Sequence, residues 1–228
     1  MPDTTLIIFI KAPIRGRVKS RLSTVLGEDA ALELYRNFVL DILDTAERSG
    51  LPVRICIYPP EAIEAASSWL GPHRRFCPQR GQDLGERMEH AFRQAFSEGI
   101  TRAVLIGSDL PDLPSATLID AIDALRANDA VIGPAKDGGY YLIGLKHDEF
   151  LPDIFRNIDW GTERVFRQTM NAFHRSKQRV HMLPVWQDVD TIEDIRDLAV
   201  RNSGSTTSAV HTISYIGMHD LLNTQRTS

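Results

Sequence analysis

The chain alternates short apolar segments, rich in β-branched residues, with segments of helical periodicity along most of its 228 residues. Strands separated by helices pair mainly in parallel, because each helix returns the chain to the end of the sheet where the next strand begins. We therefore predict an α/β fold with a mainly parallel sheet and helices on both faces. The predicted strands are TLIIFIK, VRICIY, RRFCPQ, RAVLIGS, DAVIGP, YYLIGL and RVHMLPV.

Apolar residues at helical spacing predict the helices between these strands. Two helix starts carry the residues of a capping box: Asp83 is followed by Glu86, and Thr191 is followed by Asp194. The predicted helices span residues 28–49, 61–70, 83–97, 118–127, 162–175 and 192–200.

No linker interrupts this pattern before about residue 202, where the composition changes to Ser, Thr and Gly. We predict one domain over residues 1–201. Residues 202–228 show no clear core pattern, and we predict a polar tail that is loosely attached or disordered.

The formal net charge of −4 argues against a nucleic-acid-binding protein, which would show a basic excess. No apolar run approaches the roughly 20 residues of a membrane span, and the first one is too short for a secretion signal. Cys56 and Cys77 lack the spacing of a disulfide framework or a zinc site. We expect a cytoplasmic protein without nucleic-acid or membrane partners, and the oligomeric state, a homodimer included, stays open.

The loop after the first strand, KAPIRGRVKSRL, is cationic although the chain as a whole is acidic. In an open α/β sheet, ligands bind beyond the carboxyl ends of the strands, where this loop lies. Gly16 lets backbone N–H groups approach an anion, and arginine binds phosphate oxygens in pairs. The loop is not a P-loop, because Val18 stands where the second glycine is required. It is therefore a phosphate-binding loop or an ordinary solvated loop. Its cations are Lys11, Arg15, Arg17, Lys19 and Arg21.

Acidic residues follow two of the predicted strands. Asp109 comes directly after RAVLIGS, and Asp188 and Asp190 follow RVHMLPV. Parallel strands bring their carboxyl ends together, and Mg²⁺ takes one or two carboxylates together with phosphate oxygens and water. The alternative is that the acid after RAVLIGS caps the next helix, which suits Asp112 better. The sequence DVDT also resembles the nucleophile motif of haloacid-dehalogenase-type phosphatases, but that motif belongs after a first strand.

Six motifs together resemble the DUF2064 family, also described as selenodomain-associated or arsenosugar-type transferases. The resemblance covers about residues 4–198 and implies the GT-A fold of nucleotide-diphospho-sugar transferases. Arg15 and Ser20 depart from the usual family pattern without removing the glycine or the hydroxyl. The motifs are KAPIRGRVKSRL, QDLGERM, GSDLPDLP, GPAKDGGYYLIGL, NIDWGTERVF and DVDTIEDI.

The resemblance implies a role for each motif. Asp109 corresponds to the metal-binding acid, and Asp188 or Asp190 to the group that approaches the metal, Mg²⁺ or Mn²⁺, from the C-terminal side. Lys19 and Asp109 are the implied catalytic residues. The implied nucleotide-binding residues are Lys11, Ala12, Pro13, Gly16, Lys19, Arg21, Gln79, Asp83, Arg87 and Ser108. The implied acceptor-side residues are Asp137, Gly138, Gly139, Tyr140 and Trp160, although a Gly-Gly hairpin turn explains the glycines equally well.

The leading hypothesis is thus a Mg²⁺-dependent transferase that moves a nucleotidyl or glycosyl group from a nucleoside triphosphate or a nucleotide sugar to a small acceptor. The alternative is a nucleotide-binding regulatory module without catalysis. The acids argue against it, because phosphate binding needs only the cationic loop. A phosphatase is the third and weakest hypothesis.

Overall fold

A computed structural model describes residues 3–204 and 208–222, which form one α/β unit around a seven-stranded sheet. The strand order is β3-β2-β1-β4-β6-β5-β7, so the first strand lies near the middle. The strands are β1 (Thr4–Lys11), β2 (Val53–Tyr58), β3 (Phe76–Pro78), β4 (Arg102–Ile106), β5 (Ala130–Pro134), β6 (Tyr140–Lys146) and β7 (Val180–Met182).

Helices connect the strands and cover both faces of the sheet. Short 3₁₀ segments at Pro60–Ala62 and Pro152–Phe155 supplement them. The α-helices are α1 (Ser20–Leu26), α2 (Glu28–Ser49), α3 (Ile63–Leu70), α4 (Leu84–Ser97), α5 (Ser115–Ala124), α6 (Val165–Arg175), α7 (Ile192–Arg201) and α8 (Val210–Met218).

The strand β1 shows why helices cover both faces of the sheet. Its residues 6–10 are all apolar, and alternate side chains point to opposite faces. Leu6, Ile8 and Ile10 pack under α2, α3 and α5, whereas Ile7 and Phe9 pack under α4 and α6. The predicted α/β fold with helices on both faces is confirmed.

One strand departs from the parallel arrangement. β6 is antiparallel to both of its neighbours, β4 and β5, and all other pairings are parallel. The predicted turn at Asp137–Gly139 causes this reversal, because it sends the chain straight back along β5. The prediction of a mainly parallel sheet therefore holds, and the reversed strand brings the turn to the carboxyl end of β4.

The predicted capping residues and helix starts agree with the structure in part. Asp83 caps α4 by accepting from the N–H of Glu86, but Glu86 accepts from Gln82 rather than from Asp83. The full capping box is present at α7, between Thr191 and Asp194. Two helices differ from prediction by three residues at the start: α5 begins earlier, at residue 115, and α6 begins later, at residue 165.

The prediction that Asp112 caps a helix is wrong. The cap position of α5 is Pro114, with no side-chain hydrogen bond, and the Asp112 carboxylate is buried against the guanidinium of Arg201 and the amide of Asn202. This ion pair fixes the end of α7 to the loop after β4. Its two partners are 89 residues apart, so no local pattern reveals it.

The prediction of a tail without a core does not fit residues 208–222. There, α8 packs on α2, with Ile216 and Leu221 buried against a cluster that includes Leu34 and Phe38. The buried carboxylate of Asp41 accepts the backbone N–H groups of the first residues of α8 and the Thr212 hydroxyl. Residues 205–207 and 223–228 lie outside the described part, and the division at residue 201 stays a prediction. Within the described ranges, no helix combines the length and the apolar character needed to cross a bilayer.

Candidate functional site

A groove runs along the carboxyl ends of β1, β2 and β4, where the sequence predicted the site. It consists of two adjoining cavities of about 640 and 550 Å³, which we call the first cavity and the second cavity. The residues that line both are Phe9, Arg21, Leu84, Gly107 and Asp190.

Lys19 lies in the wall of the first cavity and links its charged groups. It has left-handed backbone angles (φ 50°, ψ 49°) immediately before α1, which turns its side chain inward until only 3% is exposed. Its ammonium group lies 2.7 Å from Asp109 Oδ1 and 2.8 Å from Asp190 Oδ1, and it donates to the carbonyl of Val189 at 2.7 Å. The cation of the first loop and the acids after the two strands therefore form one cluster.

The charge of Lys19 is held by these partners. Burial alone would lower the pKa of Lys19, but the carboxylates of Asp109 and Asp190 outweigh it, and the pKa is raised above its usual value. The ring of Phe38 lies below the ammonium group at 5.3 Å. Lys19 thus stays protonated as a fixed positive charge in the groove.

The acids are positioned by the backbone and by the start of α7. The N–H of Val189 donates to the carbonyl of Asp109 at 3.0 Å, which joins the two acidic loops. Asp194 then accepts from the backbone N–H groups of Asp190 and Thr191, at 3.0 and 2.8 Å. The capping box therefore holds the segment 188–190 as well as the helix start.

Asp188 is the least satisfied group of the cluster. Burial, followed by the negative charges of Asp109 and Asp137, raises the pKa of Asp188 to about 8. Its Oδ1 atom is buried and has no hydrogen-bond partner among the described residues. A buried carboxylate in this state needs either a proton or a nearby cation.

This donor set fits a divalent cation that also binds phosphate. In residues 3–204 and 208–222, no group of three or more His, Cys, Asp or Glu side chains is arranged to hold a metal ion by itself. Mg²⁺ does not require such a cage, because it usually takes one or two carboxylates and fills its other positions with phosphate oxygens and water. The orphaned oxygen of Asp188 beside Asp109 is consistent with that mode.

The floor of the first cavity is held by Tyr35. Its hydroxyl accepts from the N–H of Lys11, lies 3.0 Å from the carbonyl of Lys11 and 3.2 Å from Ser108 Oγ. The ends of β1 and β4 are thereby fixed to α2. Lys11 and Ser108 both line the cavity, as predicted.

The far wall of the first cavity is built from the ends of β2 and β3 and from α4. Gln79 is buried and donates its amide N–H groups to the carbonyls of Ile10 and Cys56. The guanidinium of Arg87 stacks over the ring of Tyr58 at 4.5 Å. A flat surface of this kind suits stacking of a planar ring, and the predicted residues Gln79 and Arg87 both line the cavity.

Several predicted nucleotide contacts lie elsewhere. Ala12, Pro13 and Gly16 do not line either cavity, and Asp83 lines a separate cavity on the outer side of α4. Arg15 is exposed and pairs with Glu28 and Asp29, so for this residue the alternative of a solvated loop is correct. Arg17, which was predicted only as one of the cations of the loop, does line the first cavity.

Four of the five predicted acceptor-side residues line the second cavity. Asp137 accepts from the N–H of Gly139 at 2.8 Å, which closes the turn, and the ring of Tyr140 meets that of Trp160 edge-to-face at 6.3 Å. Gly138 has φ 90° and packs on the backbone of Glu163 rather than lining the cavity, and a side chain there would collide with that backbone.

Sequence reasoning missed Tyr35, Tyr58 and Glu163. Tyr58 ends a predicted strand at the ligand edge of the sheet, so its position was an available signal. Tyr35 lies within a helical apolar stripe and gave no signal, because a tyrosine there is usually a core residue.

The family model described as an uncharacterized protein conserved in bacteria (DUF2064) matches residues 42–162, just over half of the chain. The chain belongs to this family. The match covers α4, the end of β4 and the turn of the second cavity.

Family membership agrees with a solved structure from Desulfovibrio desulfuricans G20, a proposed nucleotide-diphospho-sugar transferase. The two chains are 42% identical, the alignment covers 97% of each, and the TM-score is 0.92. A curated relative, a phosphoenolpyruvate guanylyltransferase of Mycobacterium marinum, is 32% identical over 130 residues, which span 55% of this chain and 58% of that protein.

A more distant similarity concerns the fold alone. Rv0371c of Mycobacterium tuberculosis, solved as a complex with manganese, is 18% identical with a TM-score of 0.52, over 86% of this chain and 97% of that one.

The predicted membership of DUF2064 and of the nucleotide-diphospho-sugar transferase fold is confirmed. The prediction of an enzyme of the transferase class is likewise confirmed, since the relative and the solved structure from D. desulfuricans are transferases by name.

Proposed function

We propose that this DUF2064 protein transfers a nucleotidyl or glycosyl group from a nucleoside triphosphate or nucleotide sugar, with a divalent metal ion, to a small acceptor. The observation that carries the proposal is the cluster in which Lys19 lies between Asp109 and Asp190 at the edge of a cationic cavity. The phosphates would bind in the first cavity, and the acceptor would bind in the second.

The cations of the first cavity exceed its acids, which suits a polyphosphate. Arg21 has no ion pair with any residue of the described ranges, and it lines both cavities. It is therefore free to bind a phosphate at the junction, where the transferred group would lie. The cationic residues that line the first cavity are Lys11, Arg17, Lys19, Arg21 and Arg87.

Asp109 and Asp188 are the residues that would hold the metal ion, Mg²⁺ or Mn²⁺. Asp190 shares Lys19 with Asp109, so it serves mainly to hold the lysine. The bound cation would offset negative charge on the phosphate oxygens, which favours attack on the α-phosphorus or departure of the nucleoside diphosphate.

The chain's own residues orient the reactants. Lys19, fixed by three oxygens, and Arg21 would stabilise negative charge that develops on the phosphate oxygens. In nucleotidyl transfer, an acceptor oxygen forms a bond to the α-phosphorus and pyrophosphate leaves. In glycosyl transfer, the acceptor attacks the sugar carbon and a nucleoside diphosphate leaves.

A thermal-shift panel of nucleoside triphosphates and nucleotide sugars, with and without Mn²⁺ or Mg²⁺, tests the proposal. We expect a rise in melting temperature with particular nucleotides that requires the metal. The accumulating product, pyrophosphate or nucleoside diphosphate, then separates the two reactions. An equal response to many anions without metal would contradict the proposal.

Arg21→Ala sharpens this test. Loss of a charge-assisted hydrogen bond should weaken nucleotide affinity by about 1.5–3 kcal/mol. The matched control is Arg126→Ala, which removes an exposed arginine of the loop after α5 that pairs with Asp123 and lies outside both cavities. Equal nucleotide affinity of both variants by calorimetry would show that Arg21 does not bind the phosphates.

A further inference from the structure

The second cavity differs sharply in charge from the first. Four carboxylates line it, and the only cation among its lining residues is Arg21, which the first cavity shares. The carboxylates are those of Asp137, Glu163, Asp188 and Asp190.

The acids assigned to Lys19 and to the proposed metal ion do not account for all of the negative charge of the second cavity. Asp188 is assigned to the metal ion and Asp190 to Lys19 under the proposed function, and both would be neutralised there. Asp137 and Glu163 remain, and neither forms an ion pair with any residue in 3–204 or 208–222. Both are exposed, so they face whatever enters the cavity.

The cations nearest to them in sequence are turned to other partners. Lys136 donates to Gln187 Oε1 at 2.6 Å, and Arg164 pairs with Asp159 at 3.1 Å. Neither Lys136 nor Arg164 lines the second cavity. The fold therefore leaves the two carboxylates without a counter-charge although basic residues are adjacent in the chain.

Aromatic rings form the other wall of the cavity. Tyr140 and Trp160 meet edge-to-face, and Phe9 closes the side toward the sheet. Aromatic faces bind the apolar face of a ring or a cationic group, and carboxylates accept hydrogen bonds from hydroxyl and ammonium groups. An anionic compound would instead meet two unpaired like charges in a partly desolvated cavity.

We propose that the acceptor is a neutral or cationic compound with hydroxyl or amino groups and an apolar face, and that Asp137 and Glu163 exclude anionic acceptors. The inference rests on the proposed function, because it assigns the second cavity to the acceptor. It separates this chain from its relative named for phosphoenolpyruvate, an acceptor that carries a phosphate and a carboxylate.

Calorimetry with two probes of opposite charge tests the proposal on the full-length protein saturated with Mn²⁺ and the nucleotide that the thermal-shift panel identifies. The probes are phosphoenolpyruvate and glucosamine. We expect glucosamine to bind the wild type at least about tenfold more tightly than phosphoenolpyruvate. Binding of phosphoenolpyruvate as tight as that of glucosamine, or absence of binding by glucosamine, would overturn the proposal.

Charge reversal at the cavity provides the second measurement. Glu163→Lys should improve phosphoenolpyruvate binding and weaken glucosamine binding, each by about fivefold or more. Asp120→Lys makes the same change on the exposed face of α5, outside both cavities, and should change neither affinity. Equal effects of the two substitutions, or no effect of Glu163→Lys, would also overturn the proposal.

The experiments distinguish failure of the proposed function from failure of the acceptor proposal. If no nucleotide binds in a metal-dependent manner, the proposed function fails and the acceptor assignment with it. If nucleotide and Mn²⁺ bind but phosphoenolpyruvate enters the wild-type cavity, the transferase function stands and only the acceptor class is wrong.

Discussion

Both ends of the sheet bury a cation beside carboxylates, yet the two clusters differ in how well their charges are matched. At the amino end, the Arg54 guanidinium is 6% exposed and lies 2.6 Å from Glu98, which also contacts Arg75. At the carboxyl end, Lys19 is 3% exposed and meets Asp109 and Asp190, with Asp188 close by.

At the amino end the carboxylate of Glu98 has two arginines beside it, whereas at the carboxyl end an oxygen of Asp188 has no partner among the described residues. Burial would raise the pKa of Glu98, but its contacts with Arg54 and Arg75 outweigh it, and the net pKa is lowered. The pKa of Asp188 is raised to about 8, because burial and neighbouring carboxylates act on it together. A buried ionic cluster that lacks positive charge is unfavourable unless a ligand supplies it, and such clusters are typical of functional sites.

The largest expected effect is that of Asp109→Asn on turnover. The substitution keeps the size of the side chain but removes a charge that holds both Lys19 and the proposed metal ion. We expect turnover to fall by at least about 10²-fold, comparable to loss of one main transition-state stabiliser. Folding should be nearly unchanged, because Asp190 and Val189 still hold Lys19. Asp120→Asn is the matched control on the surface, and full activity of Asp109→Asn would contradict the metal-site assignment.

At the opposite end, Arg54→Ala should affect stability without affecting nucleotide binding. Breaking a buried ion pair costs about 3–5 kcal/mol, and the partial exposure of Glu98 together with its contact to Arg75 reduces this to about 2 kcal/mol. Urea unfolding measures the loss of stability, and calorimetry with nucleotide and Mn²⁺ measures binding. A loss of nucleotide affinity with intact folding would mean that the two ends of the sheet are coupled.

Asp188→Asn should stabilise the metal-free protein at neutral to alkaline pH. Since the folded pKa is raised to about 8 from an unfolded value near 3.8, the folded state binds the proton more tightly, and stability falls as pH rises from about 4 through 8. The variant removes this loss and should exceed the wild type by about 1–3 kcal/mol at pH 8 in EDTA, with little difference near pH 4. Urea unfolding of the variant and the wild type at both pH values measures this difference in stability. A destabilised variant at pH 8 would mean that the ionised carboxylate is satisfied after all.

The smallest expected effect is that of Glu98→Gln, with the opposite pH dependence. The folded pKa is lowered, so the contribution of Glu98 to stability is present above its unfolded pKa and is lost as pH falls through the folded value. The variant should be less stable than the wild type by about 1 kcal/mol at pH 7, discounted for solvent screening, and should match it near pH 3. An unchanged difference between the two pH values would show that packing rather than charge is responsible.

The predictable part of the site was local in sequence. Asp109 at the end of a buried apolar run, the cationic loop after β1 and the capping box of Asp194 all follow from neighbouring residues. Because strand ends converge at one edge of an open sheet, these segments could be placed together without coordinates. Gln79 and Arg87, which the family resemblance suggested, also line the cavity.

The sequence by itself determined the alternation of strands and helices, the edge of the sheet at which the ligand site lies, and most of the charged residues that lie there. Only the tertiary structure decided that Lys19 turns inward to Asp190, 171 residues away, that Asp112 pairs with Arg201, and that α8 packs on α2. Each of these contacts joins segments far apart in the chain. They depend on which group is buried and on the counter-charge that it meets, and neither can be read from local propensity or periodicity.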